Sequence, residues 1–240
     1  MMQTLSVGAS LIGHPLDPPQ MARFEQYMRI LLEWNERFNL TSITSPREIE
    51  TRHFLDSLSV VLALEHEPVV LRHSRLLDIG SGAGFPGIPL KIAIPELEVY
   101  LLEATGKKVD FLRHITHVLG LSGIVVIHGR AEELGHQATL RETFDVVVSR
   151  AVAPLATLVE LGLPFVRRDG LFIAMKKGDT STELDHATTA VSLLGGHLQE
   201  RIDVDLPGLP GNHHLICIRK TGPTPARFPR RPGMPARNPL

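Results

Sequence analysis

The sequence is short of cysteine, of net charge and of long hydrophobic runs, and each shortage excludes a class of protein. Its single cysteine, Cys217, cannot form an internal disulfide framework or a cysteine-based zinc site. A net charge of −1 gives the chain no overall field that draws it to a polyanion or a membrane surface. No stretch approaches the roughly 20 apolar residues that span a bilayer.

Signals for targeting and for metal binding are also missing. The first residues, MMQTLSVGASLIGH, lack the basic start and the long apolar stretch of a leader, so we expect a cytoplasmic protein without a membrane anchor. None of the 12 histidines has the spacing of a metal-ligand motif such as HExxH, so we expect no metal site. His213 and His214 are adjacent in a predicted strand, which is typical of ordinary strand residues.

What the sequence does contain is a series of short, continuous apolar runs that begins near residue 75. Such runs are typical of strands buried on both faces, as in a parallel sheet covered by helices. Their spacing of roughly 20 to 25 residues leaves room for crossover helices, which predicts a doubly wound α/β fold. The runs are RLLDI, EVYLLE, IVVIHG, FDVVVS, GLFIAMK, RIDVDL and HHLICIRK. The turn PGLPGN predicts that the last two pair antiparallel.

Helical patterns precede the first strand. In residues 18–38 the apolar side chains gather on one face of a helix, with Asp17 as its predicted N-cap. The stretch SPRE predicts a second helix, in which Ser45 is the N-cap, Pro46 takes the first helical position and Glu48 completes a capping box. These segments predict a helical unit ahead of the sheet.

Three segments follow from these patterns: a helical N-terminal extension over residues 1–70, an α/β domain over 71–220 and a tail over 221–240. The tail has six prolines and no acidic residue, which predicts a flexible segment. Its positive charges are Arg227, Arg230, Arg231 and Arg237. Because the whole chain carries −1, residues 1–220 carry about −5.

The stretch RLLDIGSGAGFPGIPL places four glycines directly after the first apolar run. Gly82, Gly84 and Gly87 fit the dinucleotide pattern GxGxxG, although that pattern alone is weak evidence. A dinucleotide needs free amide donors at the helix N-terminus for its pyrophosphate. Pro86 and Pro89 remove two such donors, which disfavours NAD.

S-adenosylmethionine, which has no phosphate, fits the loop and the neighbouring strand ends better. Glu103 closes the second strand 23 residues after Gly80, near the separation at which an acidic residue meets a ribose. Ala131 and Glu132 follow the third strand, where a backbone amide and a carboxylate can read an adenine edge. Arg150 follows the fourth strand. All of them are predicted at the carboxyl edge of the sheet, where open α/β folds bind ligands.

Three stretches together resemble one family of RNA-modifying enzymes. WNERFNLTSITSPREIETRHFLDSL, LLDIGSGAGFPGIPL and FDVVVSRAVAPL are similar to the 16S ribosomal RNA guanine-N7 methyltransferases, also called glucose-inhibited division protein B. The resemblance extends over about residues 28–220. It implies a class I S-adenosylmethionine-dependent methyltransferase with a Rossmann-like, seven-stranded sheet. Its implied partner is 16S ribosomal RNA or the small-subunit particle, and we expect the protein to be a monomer.

The resemblance also implies the residues that bind the cofactor. Carried over position by position, they are Gly80, Gly82, Phe85, Glu103, Ala104, Thr105, Ala131, Glu132 and Arg150. The N7 atom of guanine has an in-plane lone pair and no proton, so its methylation needs no general base. We therefore name no catalytic acid or base, and expect the protein to act through proximity and orientation.

An RNA substrate needs cations to hold it. The major groove of A-form RNA is too deep and narrow for side chains, so the target base must lie in a loop or be splayed out. Candidates for RNA contacts are Arg52, His53, Lys107, Lys108, Lys176, Lys177 and the tail arginines. Arg52 and Asp56 lie one helical turn apart and are able to pair with each other instead. For the tail we favour an RNA-contacting arm over an idle solvated segment.

Three other interpretations stay open. A methyltransferase for a small molecule or a protein shares the whole cofactor crevice. An NAD-dependent oxidoreductase is disfavoured by the loop prolines and by the lack of a recognisable hydride-transfer residue. A non-enzymatic RNA-binding module that retains the fold is the third. Titration with S-adenosylmethionine and with NAD separates the methyltransferases from the oxidoreductase.

Overall fold

The computed structural model of the protein describes residues 2–64, 74–150 and 153–240. Its strands are β1 (Arg75–Ile79), β2 (Glu98–Glu103), β3 (Ile124–His128), β4 (Phe144–Ser149), β5 (Val166–Lys177), β6 (Gly196–Val204) and β7 (His213–Lys220). They form one seven-stranded sheet in the order β3-β2-β1-β4-β5-β7-β6. β7 is antiparallel to β5 and β6, and the other neighbouring pairs are parallel. The predicted doubly wound α/β fold is confirmed.

Helices precede the sheet and connect its strands. The N-terminal helices are α1 (Gln3–Leu11), α2 (Pro18–Phe38), α3 (Pro46–Ile49), α4 (Asp56–Leu58) and α5 (Val61–Leu64). The later helices are α6 (Gly87–Ala93), α7 (Gly106–Val118), α8 (Ala131–Leu134), α9 (Leu155–Gly162), α10 (Ser181–Leu193) and α11 (Met234–Arg237).

Alternate residues of the strands enter two separate hydrophobic clusters, one on each face of the sheet. Leu76 and Val146 lie in the first cluster, together with side chains of α2, α6 and α7. Leu77 and Val147 lie in the second, with side chains of α9 and α10. Burying one such side chain contributes about 1.5–3 kcal/mol. Because the N-terminal helices share the first cluster, they cover one face of the sheet. The predicted boundary at residue 70 lies outside the described residues.

The cap predicted for the second helix is wrong. Ser45 makes no side-chain capping bond, and Glu48 instead accepts a hydrogen bond from Nη1 of Arg52 at 2.7 Å. Regular α-helix stops at Ile49, and Glu50–Leu55 forms a π-helix. The i,i+4 ion pair takes the carboxylate that a capping box requires.

The tail is packed, although its composition predicts a flexible segment. Phe228 is 3% exposed. Nη2 of Arg230 donates to Oε2 of the fully buried Glu160 at 2.6 Å. Arg141 donates to the main-chain oxygens of Thr224 and Phe228, each at 2.8 Å. Glu160 and Arg141, both in the folded domain, therefore supply the tail with a carboxylate and with hydrogen-bond donors. The composition of the tail alone does not reveal these partners.

The two predicted caps differ in the structure, which gives a matched pair of substitutions. Oδ1 of Asp17 accepts from N of Gln20 at 2.7 Å, and Oε1 of Gln20 accepts from N of Asp17 at 2.8 Å. Asp17→Ala is expected to lower the free energy of unfolding by about 1 kcal/mol. Ser45→Ala is expected to change it by less than about 0.5 kcal/mol. Urea unfolding measures both, and equal losses would contradict this account of the capping.

Candidate active site

The glycine-rich loop follows β1, next to the point where the strand order reverses between β1 and β4. Open α/β sheets bind ligands in the crevice at such a point. Gly80 is exposed, with a φ of +70°, and no heavy atom lies within 4 Å of the position that a Cβ would take. A ligand can therefore approach the backbone of the loop closely at Gly80.

A buried carboxyl group lies beside the loop. Asp78 is fully buried, and its Oδ2 accepts a hydrogen bond from N of Gly87 at 2.9 Å. Its Oδ1 is buried and has no hydrogen-bond partner among the described residues. Burial raises the pKa of Asp78 to about 7, and the bond from the Gly87 amide partly opposes this rise. A buried oxygen without a partner costs free energy. A ligand donor that bonded to Oδ1 of Asp78 would remove this cost.

Glu103 lies opposite the loop, at the end of β2. Its Oε2 accepts from N of Gly82 at 2.9 Å, and its Oε1 accepts from N of Thr105 at 2.8 Å. The residue is 6% exposed, and the neighbouring Ala104 is exposed. Each carboxylate oxygen keeps a further lone pair, so the fixed group can still accept bonds from ligand hydroxyls. The main-chain amides of Gly82 and Thr105 thus hold the carboxylate of Glu103. The three residues are neighbours, as the sequence predicted.

The residues after β3 lie at the same edge of the sheet. Ala131 is buried and begins α8. Oε1 of Glu132 accepts a hydrogen bond from N of Gly233, in the tail, at 3.0 Å. Nothing in the sequence motifs pointed to this contact, because it joins segments 101 residues apart.

Phe85 forms the centre of a stack that joins the loop to the N-terminal helices. Its ring centroid lies 4.4 Å from that of His53 and 5.4 Å from that of Tyr27, and both pairs are nearly parallel. The guanidinium carbon of Arg150 lies 4.9 Å from the centroid of the same ring. Tyr27 also donates a hydrogen bond from its hydroxyl to the main-chain oxygen of Ala83. Phe85 and Arg150, both predicted as cofactor contacts, therefore contact each other.

Arg150 belongs to a network of buried charges that the sequence did not predict. Its Nη1 donates to Oδ2 of Asp56 at 3.2 Å and to the main-chain oxygen of Arg52 at 3.0 Å. Oδ1 of Asp56 is 2.9 Å from Nδ1 of His213. Arg52 does not take up the alternative pairing with Asp56, because it binds Glu48 instead. His213 joins this network, although the sequence indicated an ordinary strand residue.

Hydrogen-bond partners hold His53 at both ring nitrogens. Nη2 of Arg150 and the main-chain oxygen of Arg52 each lie 3.2 Å from its Nδ1. Its Nε2 lies 2.9 Å from Oγ1 of Thr41. Burial and then the charge of Arg150 lower the pKa of His53 to about 3. The NLT stretch of the sequence thus supplies, in Thr41, the side chain that orients this ring.

A cavity of about 480 Å³ adjoins this network. Arg52, His53, Lys176 and Lys177 all line it, as do Asp56 and Arg150. This volume lies in the range of about 300–1,000 Å³ that is usual for ligand pockets. Four of the predicted RNA contacts therefore lie around one opening.

The predicted cations differ in how free they are to bind a ligand. Nζ of Lys176 donates to Oε1 of Glu183 at 3.1 Å and to the main-chain oxygen of Ala153 at 2.9 Å. Lys177 is exposed at the cavity. Lys107 lies away from the cavity lining, and its Nζ donates to the main-chain oxygen of Phe38 at 2.8 Å.

The described residues contain neither a cluster of metal ligands nor a membrane-spanning helix. No group of three or more His, Cys, Asp or Glu side chains there is arranged to hold a metal ion. In the same part of the chain, every helix is too short or too polar to cross a membrane.

The strand order, the glycine-rich loop and the carboxylate at the end of β2 define the class as a class I, Rossmann-like methyltransferase. A sarcosine dimethylglycine methyltransferase candidate from Galdieria sulphuraria has a similar fold, with a TM-score of 0.57 at 13% identity. The alignment covers 82% of this chain and 98% of that one.

The sequence comparisons identify the family within this class. A profile described as GidB, rRNA small subunit methyltransferase G, matches residues 20–204. Ribosomal RNA small subunit methyltransferase G of Dehalococcoides mccartyi is 47% identical over 239 residues, covering 100% of both chains. The protein of the same name from Roseiflexus castenholzii is 49% identical over 228 residues, covering 95% of each. The chain belongs to the GidB family of rRNA small subunit methyltransferases.

The lowered pKa of His53 can be measured directly. We expect its imidazole to remain neutral from pH 8 down to about pH 4. Since its pKa is lower in the folded chain than the ordinary 6.5, its contribution to stability is lost as the pH falls from 6.5 towards 3. Long-range ¹H–¹⁵N spectra of the imidazoles follow this titration.

Arg150→Gln serves as the comparison for that titration. Removing the guanidinium charge is expected to raise the pKa of His53, while burial keeps it below the ordinary value. A midpoint near pH 6.5 in the unsubstituted protein would contradict the geometry described for this ring.

Proposed function

We propose that the protein transfers a methyl group from S-adenosylmethionine to N7 of a guanine in 16S ribosomal RNA. The observation that carries the proposal is that an open glycine loop and a cation-lined cavity meet at one stack of side chains. Phe85 belongs to the loop, and Arg150 contacts both its ring and Asp56 in the cavity wall. Family membership supports an RNA substrate, since both relatives are named as ribosomal RNA methyltransferases.

The residues of the crevice fit the chemical groups of S-adenosylmethionine. When bound, this cofactor supplies an electrophilic methyl group on a sulfonium centre. Gly80 leaves the backbone accessible, and the fixed carboxylate of Glu103 accepts bonds from ribose hydroxyls. The unpaired Oδ1 of Asp78 suits the cationic amino group. Ala131 and Glu132, after β3, border the place where we put the adenine, and Ala104 and Thr105 lie beside the ribose.

The chain's own groups orient the guanine and need not move a proton. N7 has no proton to lose, and the methylated ring becomes cationic. A neutral His53 adds no repulsion to that charge. The carboxylates of Asp56 and Glu183 are paired with Arg150 and Lys176 in the cavity wall. The protein therefore contributes alignment and the exclusion of water.

The cations around the opening suit the RNA backbone. Lys177 is exposed there, and Arg52 is half-exposed. Since the net charge of the whole chain is −1, we expect modest affinity for RNA that falls as salt rises. We place the protein in the cytoplasm, with 16S ribosomal RNA or the small-subunit particle as its partner. We also infer a monomer, since the large exposed apolar side chains of the described residues lie on five different elements.

Cofactor binding at Gly80 has a matched control at Gly120. Both residues have positive φ, and neither has a heavy atom within 4 Å of the position of a Cβ. Each Gly→Ala substitution is expected to cost about 1–2 kcal/mol of stability. Only Gly80→Ala is expected to weaken S-adenosylmethionine binding, by about tenfold or more, because its methyl group fills the open side of the loop.

Isothermal titration calorimetry with S-adenosylmethionine, and in parallel with NAD, measures these affinities. Equal affinity in the two variants would show that the cofactor does not lie against Gly80. Binding of NAD in place of S-adenosylmethionine would contradict the proposed reaction.

The acceptor is tested by methyl transfer from S-adenosylmethionine labelled in the methyl group. Naked 16S ribosomal RNA, small-subunit particles and 23S ribosomal RNA serve as parallel substrates. We expect label in 16S RNA, free or in the particle, and none in 23S RNA, with chemical cleavage at 7-methylguanine locating one site. Label at another atom, or equal labelling of 23S RNA, would overturn the substrate assignment while leaving the fold and the cofactor in place.

A further inference from the structure

The end of the tail, residues 227–240, connects two helices, α8 and α9. N of Gly233 donates to Oε1 of Glu132, in α8, at 3.0 Å. Oγ1 of Thr157, in α9, donates to the main-chain oxygen of Pro235 at 2.9 Å. α8 follows β3, and α9 follows β4. The segment thus ties together the two elements that continue from the carboxyl ends of β3 and β4.

A buried charge holds this segment in place. Glu160 of α9 is fully buried, and its carboxylate accepts four contacts from Arg230. Backbone N and Nε donate to Oε1 at 2.8 and 2.9 Å, and Nε and Nη2 contact Oε2 at 3.1 and 2.6 Å. No other cation among the described residues pairs with it. A buried carboxylate that loses its cation is strongly unfavourable. The docked position of the segment is therefore part of the stable fold.

The segment also packs against the loop that follows α8. Nη1 of Arg141 donates to the main-chain oxygen of Gly135 at 2.7 Å and to that of Phe228 at 2.8 Å. A Cβ on Gly135 would lie 2.8 Å from Cγ of Pro229, so the two chains are in direct contact there. One guanidinium thus fixes the loop and the tail to each other.

From these contacts we propose that residues 227–240 form a clasp that positions Glu132 and α8 for binding the adenine end of S-adenosylmethionine. Arg230 and Arg141 are its positioning residues, since they act through Glu160, the loop and α8. The inference rests on the proposed function, because Glu132 borders the cofactor only if the crevice takes S-adenosylmethionine. It assigns the packed tail to cofactor binding, whereas its sequence suggested an arm for RNA.

The test measures binding of S-adenosylhomocysteine by calorimetry, without RNA and without turnover. Arg230→Ala removes the cation of the buried pair, and Arg231→Ala removes its exposed neighbour and serves as the matched control. We expect Arg230→Ala to weaken binding by about tenfold, a usual size for coupling between sites, and Arg231→Ala to leave it unchanged. Arg230→Lys, which keeps the charge, is expected to recover part of the loss.

A second full-length variant tests the other positioning residue. Arg141→Ala removes the guanidinium that joins the loop to the tail and leaves the Arg230–Glu160 pair in place. We expect it to weaken binding of S-adenosylhomocysteine as well. In methyl-transfer assays Arg230→Ala should raise the KM for S-adenosylmethionine and leave kcat at saturating cofactor unchanged. A loss of folded protein alone would lower kcat and leave the dissociation constant unchanged.

The outcomes separate this inference from the proposed function. If the unsubstituted protein binds no S-adenosylhomocysteine, the proposed function fails. If it binds, and Arg230→Ala and Arg141→Ala bind as well as the unsubstituted protein, the clasp is wrong. A raised KM for RNA in Arg227→Ala and Arg231→Ala, with unchanged cofactor binding in Arg230→Ala, would overturn the clasp in favour of an RNA-binding arm.

Discussion

The packing around Phe85 is the interaction on which the rest of the site depends. Its ring joins the glycine-rich loop to α2 through Tyr27 and to the π-helix through His53. Arg150 covers the same ring and binds Asp56, which brings in the end of β4. Aromatic pairs of this kind add about 0.5–1.5 kcal/mol beyond the area they bury. Because of these contacts, the loop cannot change its position without disturbing the wall of the cavity.

Much of the sheet and part of the site could be predicted from the sequence. β1, β2, β4 and β7 begin and end at the residues that the apolar runs indicated, because strands buried on both faces are continuously apolar. The fold and the family are confirmed. Glu103 lies beside the loop because parallel strands end at one edge of the sheet. These features follow from local patterns and short loop connections.

Contacts between segments distant in the sequence could not be predicted. His213 reaches Asp56 across 157 residues, and Arg230 reaches Glu160 across 70, and no local pattern encodes either pair. The π-helix and the lost cap at Ser45 arise because tertiary packing and the Glu48–Arg52 pair override local preference. The packing of the tail was missed for the same reason, since its partners lie in the folded domain.

We propose that cofactor and acceptor meet on either side of the Phe85 stack. The structure of the protein bound to S-adenosylhomocysteine and to an RNA fragment with the target guanine tests this arrangement. We expect the adenosine against Gly80 and Glu103, and the guanine in the cavity lined by His53, Asp56 and Arg150, with N7 facing the sulfur. A guanine bound outside that cavity, or a cofactor that does not contact Gly80, would contradict it.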